Sequence, residues 1–298
     1  MSAPNARRVA GRVGQTGRNM RLTKHHGLGN DFLVLLDPDA SHPLDSQVAR
    51  ALCARRTGIG ADGVIRATPA TGEGPARVRM ELRNADGSPA EMSGNGIRCL
   101  GQALVLGWPG VGEGDDVVIA TDAGLRTVSV GEALGPATLD LSVAMGPATV
   151  EGDAPEWTGG PLTRGLRVDT GNPHIVLEVG PGGGGPGPLP DEIDLVALGE
   201  AVNAKVPGGA NVHLLTAAAP GIAIRSYERG VGLTQACGTG ACASAAAARS
   251  WGLVDDPVPV AMPGGDAVVT LGLDARDVVL RGPATYVGAV ELGESPWR

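Results

Sequence analysis

Aromatic residues are nearly missing from this chain, with four Trp, two Tyr and one Phe among 298 residues. Seven rings cannot supply the successive stacking platforms that hold single-stranded nucleic acid. The net charge of −8 also opposes a phosphate-backbone partner. Lysine occurs only at Lys24 and Lys205, neither in a context suited to the Schiff base of a pyridoxal-phosphate enzyme. The four cysteines, Cys53, Cys99, Cys237 and Cys242, form no C-x-x-C pair and have no His at zinc-finger spacing, so no metal is expected. No apolar run is long enough to span a bilayer and nothing upstream resembles a secretory signal, which points to a cytoplasmic protein with reduced thiols.

What remains is ample aliphatic material, with hydrophobic residues at 42%, enough to bury a core. The 48 glycines and 23 prolines announce many tight turns. Residues 1–19 carry four arginines and no acid, and read as a disordered extension. From Met20 onward, strand and helix signals alternate. Arg77–Arg83 alternates polar and apolar residues as a half-buried strand does, and further strands are expected at 117–120, 125–130, 137–143, 267–271, 278–281 and 286–292. Helices are expected from Asp45/Ser46, after Ser93, from Asp191 and through the Ala-rich stretch 237–251, while GPGGGGPGPLP at 180–190 reads as a surface loop.

The chain echoes itself. Glu91-Met92-Ser93-Gly94-Asn95-Gly96-Ile97-Arg98 and Gln235-Ala236-Cys237-Gly238-Thr239-Gly240-Ala241-Cys242 both follow a strand-like run, set a small hydroxyl or thiol residue before G-x-G, and lead into a helix. Ser93 and Cys237 stand 144 residues apart, about half the chain beyond Met20. A duplicated α/β unit with a cleft between its halves follows. Unpaired N–H groups and partial positive charge at a helix start attract anions, and glycine there admits a ligand to the backbone. Two such starts facing one cleft would bind a carboxylate between them. The same field is expected to lower the pKa of Cys237 and leave it partly ionised, poised to take a proton from a carbon alpha to that carboxylate without a cofactor.

In these segments the chain resembles the diaminopimelate epimerase family, across essentially all of Met20–Leu292. The matching motifs are HGLGNDF (26–32), GIGADG (58–63), RNADGS (83–88), EMSGNGIRC (91–99), GNPH (171–174), GANV (209–212) and YERGVGLTQACGTGACA (227–243). The resemblance implies cofactor-free interconversion of LL- and meso-diaminopimelate by two-base proton transfer, and a homodimer. It also implies an α+β fold of two pseudo-symmetric domains, each a mixed or antiparallel sheet wrapped round a central helix, with the active site in the cleft between them. The expected division is residues 20–135 with a C-terminal strand at about 284–298, and residues 136–283. Carried over by position, Asn30, Asn84, Asn172, Asn211 and Arg229 resemble substrate contacts. Gly94 with Asn95, and Gly238 with Thr239, resemble the two carboxylate cradles. His174 and Glu228 resemble polar groups beside the catalytic pair of Cys237 and the residue at 93, and Glu228 a substrate contact as well. An amino-acid substrate carrying ammonium and carboxylate groups at both ends suits Asn, which donates and accepts, and Arg, which grips a carboxylate through two hydrogen bonds.

Two positions depart from the family. Ser93 stands where the first catalytic cysteine is usual, and its hydroxyl is a far weaker acid than a thiol. Gly63 stands where some members carry a contacting Gln. Proline-racemase-like relatives tolerate Ser or Thr at one of the two positions, acting as epimerases or dehydratases. An enzyme with one thiol base acting on another amino acid, and a silent amino-acid-binding protein, are therefore the rival readings. Gly58-x-Gly60-x-x-Gly63 imitates a dinucleotide fingerprint, but a helical run precedes it and a strand follows, the reverse of what that motif needs. A hydrolase built on Cys237 or Ser93 with His174 lacks the G-x-S-x-G elbow.

Overall fold

The computed structural model describes residues 20–72, 74–180, 193–273 and 275–293. The first half runs β1 (Met20–Gly27), β2 (Asn30–Leu36), α1 (Ser46–Cys53), β3 (Gly63–Pro69), β4 (Val78–Asn84), β5 (Pro89–Ala90), α2 (Gly94–Gly107), β6 (Asp116–Thr121), β7 (Gly124–Gly135) and β8 (Thr138–Gly146). After β9 (Thr149–Asp153) the order recurs: β10 (Leu162–Asp169), β11 (Pro173–Val179), α3 (Leu195–Lys205), β12 (Asn211–Ala218), β13 (Gly221–Glu228), β14 (Gly232–Thr234), α4 (Gly238–Ser250), β15 (Val258–Met262), β16 (Gly265–Thr270) and β17 (Val278–Leu292). Strand pairing repeats with the order. β2–β3 and β11–β12 are parallel, as are β4–β6 and β13–β15, while the β1–β2, β10–β11, β3–β4 and β12–β13 ladders are antiparallel.

Local chemistry accounts for the elements. In β4, Val78, Met80 and Leu82 are buried while Arg79, Glu81 and Arg83 stay partly exposed, the alternation that the pleat imposes. Asp45 and Asp194 cap α1 and α3 by accepting from backbone N–H groups three residues on. The described part of the third helix thus begins at Leu195, and the start expected at Asp191 lies outside the described residues, as do 1–19 and 181–190 of the glycine-rich loop.

α2 and α4 are central rather than amphipathic. α2 is buried without a break from Gly94 to Leu104, packed on β1, β2, β7, β8 and β17. α4 is buried from Gly240 to Ala248, packed on β9 to β13, β15 and β16. A helix buried all round must carry small or apolar side chains on every face, and the alanine run of α4 lets its sheet close in around it. Among the described residues no helix is long and apolar enough to cross a membrane.

The two strands expected at 278–281 and 286–292 are one strand, β17. Its first part pairs with β16 and, from Val278 to Thr285, with β8; its last part, Thr285 to Leu292, pairs with β1. β17 thus leaves the second half to close the first, while β8 leads into β9 and opens the second. The division expected at 135/136 falls in the β7–β8 turn, between two strands that both pack on α2.

Facing turns also join the halves. Gly264, in the β15–β16 turn, donates its N–H to the Gln235 carbonyl at 2.8 Å. A Cβ added there would lie 1.9 Å from the Leu28 carbonyl oxygen in the β1–β2 turn. Backbone lies on both sides, so nothing flexible can yield. Gly264→Ala is therefore expected to destabilise the fold by about 1–3 kcal/mol, the usual cost of overpacking, read as a lower urea midpoint with unchanged m-value.

Candidate active site

Ser93 and Cys237 occupy the same structural position. Each has extended backbone angles and caps a central helix: Ser93 Oγ accepts from Gly96 N at 3.1 Å and Cys237 Sγ from Gly240 N at 3.3 Å. The two helix starts touch. A Cβ on Gly94 would lie 3.3 Å from Gly238 Cα, and one on Gly238 3.1 Å from Gly94 Cα, with Leu280 of β17 against both. Glycine is required here because two backbones meet where any side chain would hold them apart.

In front of this junction lies a cavity of about 390 Å³. Asn30, Asn84, Ser93, Gly94 and Asn95 line it from the first half, and Asn172, Asn211, Glu228, Arg229, Cys237, Gly238 and Thr239 from the second. His174 does not line it, contrary to the expectation that it stands beside the catalytic pair. It lies on β11 in register with Asn211 of β12 and turns inward beneath α4. Arg55 and Asp62 also line the cavity. Asp62 lies in the GIGADG motif, where an acid among glycines is the signal that could have marked it.

Burial sets the chemistry of Cys237. Its thiol is pushed well above the ordinary value, first by desolvation and then by the Glu228 carboxylate; the Thr239 hydroxyl and the Gly240 N–H pull the other way but do not prevail. The partly ionised resting cysteine expected from the helix-start field is therefore corrected: in the folded protein desolvation outweighs that field. Glu228 is also raised by burial, although the Thr234 hydroxyl, which donates to its Oε1 at 2.7 Å, and the neighbouring Cys237 pull the other way. Burial thus makes both the thiol and the neighbouring carboxyl hold a proton more tightly than they would in water.

Nothing comparable stands beside Ser93. Asn84, 144 positions before Glu228 and likewise the last residue of its strand, replaces the carboxylate. The surrounding wall is Phe32, Leu82, Ala90 and Met92. Asp62 is the carboxylate lining this half, and it is committed elsewhere: it accepts from Asn30 Nδ2 at 2.8 Å and from Arg55 at 2.6 Å. Asn30 Oδ1 in turn accepts from Asn95 Nδ2 at 3.2 Å, and Asn95 Oδ1 from the buried Arg98 at 2.7 Å. Both amides are held by protein partners. Across the cavity, Asn211 Oδ1 accepts from Arg229 N at 2.9 Å. Among the described residues, no group of three or more His, Cys, Asp or Glu is placed to hold a metal.

Behind the Cys237 wall runs a chain of buried polar groups that sequence reading missed in part. His174 bonds to Asn172 Oδ1 and to His213, and His213 to Ser226. Desolvation lowers both rings, His213 to about 3, and lowers His25 in the first half to about 4. These histidines are neutral when folded and take up protons on unfolding below their ordinary value of 6.5. The unfolded state then binds more protons, so stability is complete above 6.5 and is lost as pH falls towards the folded values. Each ring contributes a slope of at most about 1.4 kcal/mol per pH unit. Urea unfolding near neutrality and at about pH 5 should show this loss, and His213→Leu should flatten it.

With the geometry in place, comparison with known proteins is informative. The family model described as Diaminopimelate epimerase matches residues 22–151 and 166–287. A diaminopimelate epimerase of Mycobacterium ulcerans is 38% identical over 297 residues, covering 94% of this chain and 99% of the relative. Another, from Sphingopyxis alaskensis, is 38% identical over 285 residues, covering 93% and 97%. A hydroxyproline epimerase structure from Agrobacterium vitis superimposes with TM-score 0.65 at 18% identity, covering 92% of this chain and 91% of the other. A PhzF-family phenazine biosynthesis protein from Bacillus anthracis superimposes with TM-score 0.68 at 15% identity, covering 92% and 99%. These two share the fold. Identity along nearly the whole length, with two helix starts meeting over one cavity, places this chain in the diaminopimelate epimerase family.

Proposed function

We propose that the chain interconverts LL- and meso-diaminopimelate by moving the α-proton across the cavity, in the supply of lysine and cell-wall precursors. The observation that carries this reading is the junction at Gly94 and Gly238, which aims two helix N-termini at one point between Ser93 and Cys237. An α-carboxylate bound there meets backbone N–H groups from both helices. The same groups stabilise the charge that grows on that carboxylate as the α-proton leaves. The far end of the substrate, with its own ammonium and carboxylate, meets Asn84, Asn172, Asn211 and Arg229.

Cys237 is the base of this reaction and Glu228 its partner. An arriving α-ammonium places positive charge near the pair, and a nearby opposite charge favours the thiolate that burial disfavours in the empty site. Ser93 presents a hydroxyl on the other face. It can pass a proton, directly or through water, but it has no neighbouring base to assist the transfer, which makes this the slow step of inversion. Inversion in both directions passes through the same transition states, so the weak hydroxyl slows both alike, while wash-out of the α-hydrogen without inversion is faster for the isomer that turns that hydrogen towards Cys237. The same reading assigns the protein to the cytoplasm and, following the family, to a homodimer.

Proton NMR in deuterated water, starting from each isomer separately, tests this. Loss of the α-proton signal with growth of the other isomer is expected from both, with loss running ahead of inversion for the isomer that faces Cys237. Exchange from neither would overturn the reading in favour of another substrate or of simple binding. Cys237→Ala should abolish all exchange. Ser93→Cys supplies the missing thiol and should raise turnover in both directions by at least about tenfold, since a positioned acid–base group typically contributes ~10²–10⁴ in rate. Unchanged turnover would mean that the site has been rebuilt around serine.

A further inference from the structure

Matched by order and register, the two halves differ most at three buried positions. In the first half Phe32 pairs with Gly63, Ile65 faces Val34 on one side and Leu82 on the other, and all three large side chains are apolar. The corresponding places in the second half hold His174, His213 and Ser226. The same sheet thus closes over a helix start with apolar side chains in one case and polar ones in the other, so the polar set is not a demand of the fold. It lies against the active-site turn. A Cβ added at Gly240, in the first turn of α4, would come 2.2 Å from His213 Cε1, where Gly96 in α2 meets Ile65 at 3.3 Å.

The hydrogen bonds have a readable direction. Asn172 Oδ1 accepts from Thr170 Oγ1 at 3.0 Å and lies 2.8 Å from His174 Nε2. A carbonyl oxygen cannot donate, so Nε2 carries the proton, and it also lies 2.9 Å from Thr170 Oγ1. A neutral imidazole has one donor and one acceptor, so His174 Nδ1 accepts, and the donor 2.8 Å away is His213 Nε2. His213 Nδ1 must then accept, and Ser226 Oγ donates to it at 2.8 Å. The wire runs from Ser226 through His213 and His174 to Asn172, a residue of the cavity wall.

We propose that His213 and Ser226 are positioning residues that set the sense of this wire and so turn the Asn172 amide NH2, rather than its carbonyl, into the cavity to meet a substrate carboxylate. This rests on the epimerase reading for the identity of the carboxylate. Reversed, the same wire would draw the Asn172 NH2 back onto His174 Nε2 and present the carbonyl, which suits an ammonium. The neighbouring wall agrees with the observed sense. Arg229 lines it, and Asn211 has its Oδ1 occupied by Arg229 N, which leaves the Asn211 NH2 for the ligand. Three donors then converge on one end of the substrate. Ser226 and His213 touch no substrate and act only through Asn172.

Two measurements decide it. Long-range proton–nitrogen NMR of the resting protein with nitrogen-15-labelled histidine, near neutral pH, should find His174 and His213 both as the Nε2–H tautomer. Nδ1–H on either ring would overturn the proposal, whether or not diaminopimelate proves to be the substrate. Ser226→Ala removes the donor that starts the wire. It should raise KM for diaminopimelate about tenfold, as expected for one lost hydrogen bond to a charged group, with kcat within about threefold. Ser226→Thr keeps the hydroxyl and should restore KM. An unchanged KM in Ser226→Ala, or a fall in kcat alone that Ser226→Thr does not reverse, would show a merely structural role and overturn the proposal.

Discussion

The site depends on the contact between two glycines. Gly94 and Gly238 bring two helix starts to backbone contact, and the unpaired N–H groups of both first turns then face the same small volume. A side chain at either position would press on the facing backbone and on Leu280 and push the two helix starts a few tenths of an ångström apart. The architecture around this point serves the approach. Leu280 of β17 lies against both glycines, and β17 belongs to both halves, so the strand that crosses between them also supports the junction. The alanine run of α4 lets its sheet close round the helix without forcing it away from α2.

On this symmetric scaffold the chemistry is not symmetric. The Cys237 side has a carboxyl partner, a hydroxyl beside the thiol and a buried histidine wire behind the wall. The Ser93 side has Asn84 in place of the carboxyl and an apolar wall. Backbone geometry is repeated because packing and strand pairing demand it of both halves, whereas the carboxyl beside the helix cap and the buried histidine wire belong to the Cys237 half alone. Polar groups taken out of water need partners, and here the Glu228 carboxyl has the Thr234 hydroxyl and the Cys237 sulfur the Gly240 amide. The Ser93 hydroxyl likewise has the Gly96 amide.

Much of this was legible in the residues. Asp45, Ser93 and Cys237 mark helix starts because a short side chain bearing oxygen or sulfur can reach back to an N–H three residues on, a purely local relation. The alternation in Arg77–Arg83 marks a strand because the pleat has a period of two. The 144-residue echo marks the duplication, and the ordered motifs mark the family. Twelve of the expected site residues do line one cavity, since motifs that bind one ligand must converge wherever the chain carries them.

Other features had no local signature. That β17 is one strand shared by both halves follows from its partners β8, β16 and β1, which lie far from it along the chain. His174 reads as a cavity residue from its motif, yet its side chain turns inward because strand register gives that face to the core. His213 and Ser226 are unremarkable in sequence and become a wire only when β11, β12 and β13 lie side by side. The charge state of Cys237 was misjudged for the same reason. A helix start is local and favours the thiolate, but burial and the Glu228 carboxyl are supplied by tertiary packing and outweigh it. The sequence alone determined the elements, the duplication and the family, all of which rest on short-range chemistry. Only the folded chain decided which groups are buried together, and burial is what sets proton affinity and the direction of a hydrogen bond.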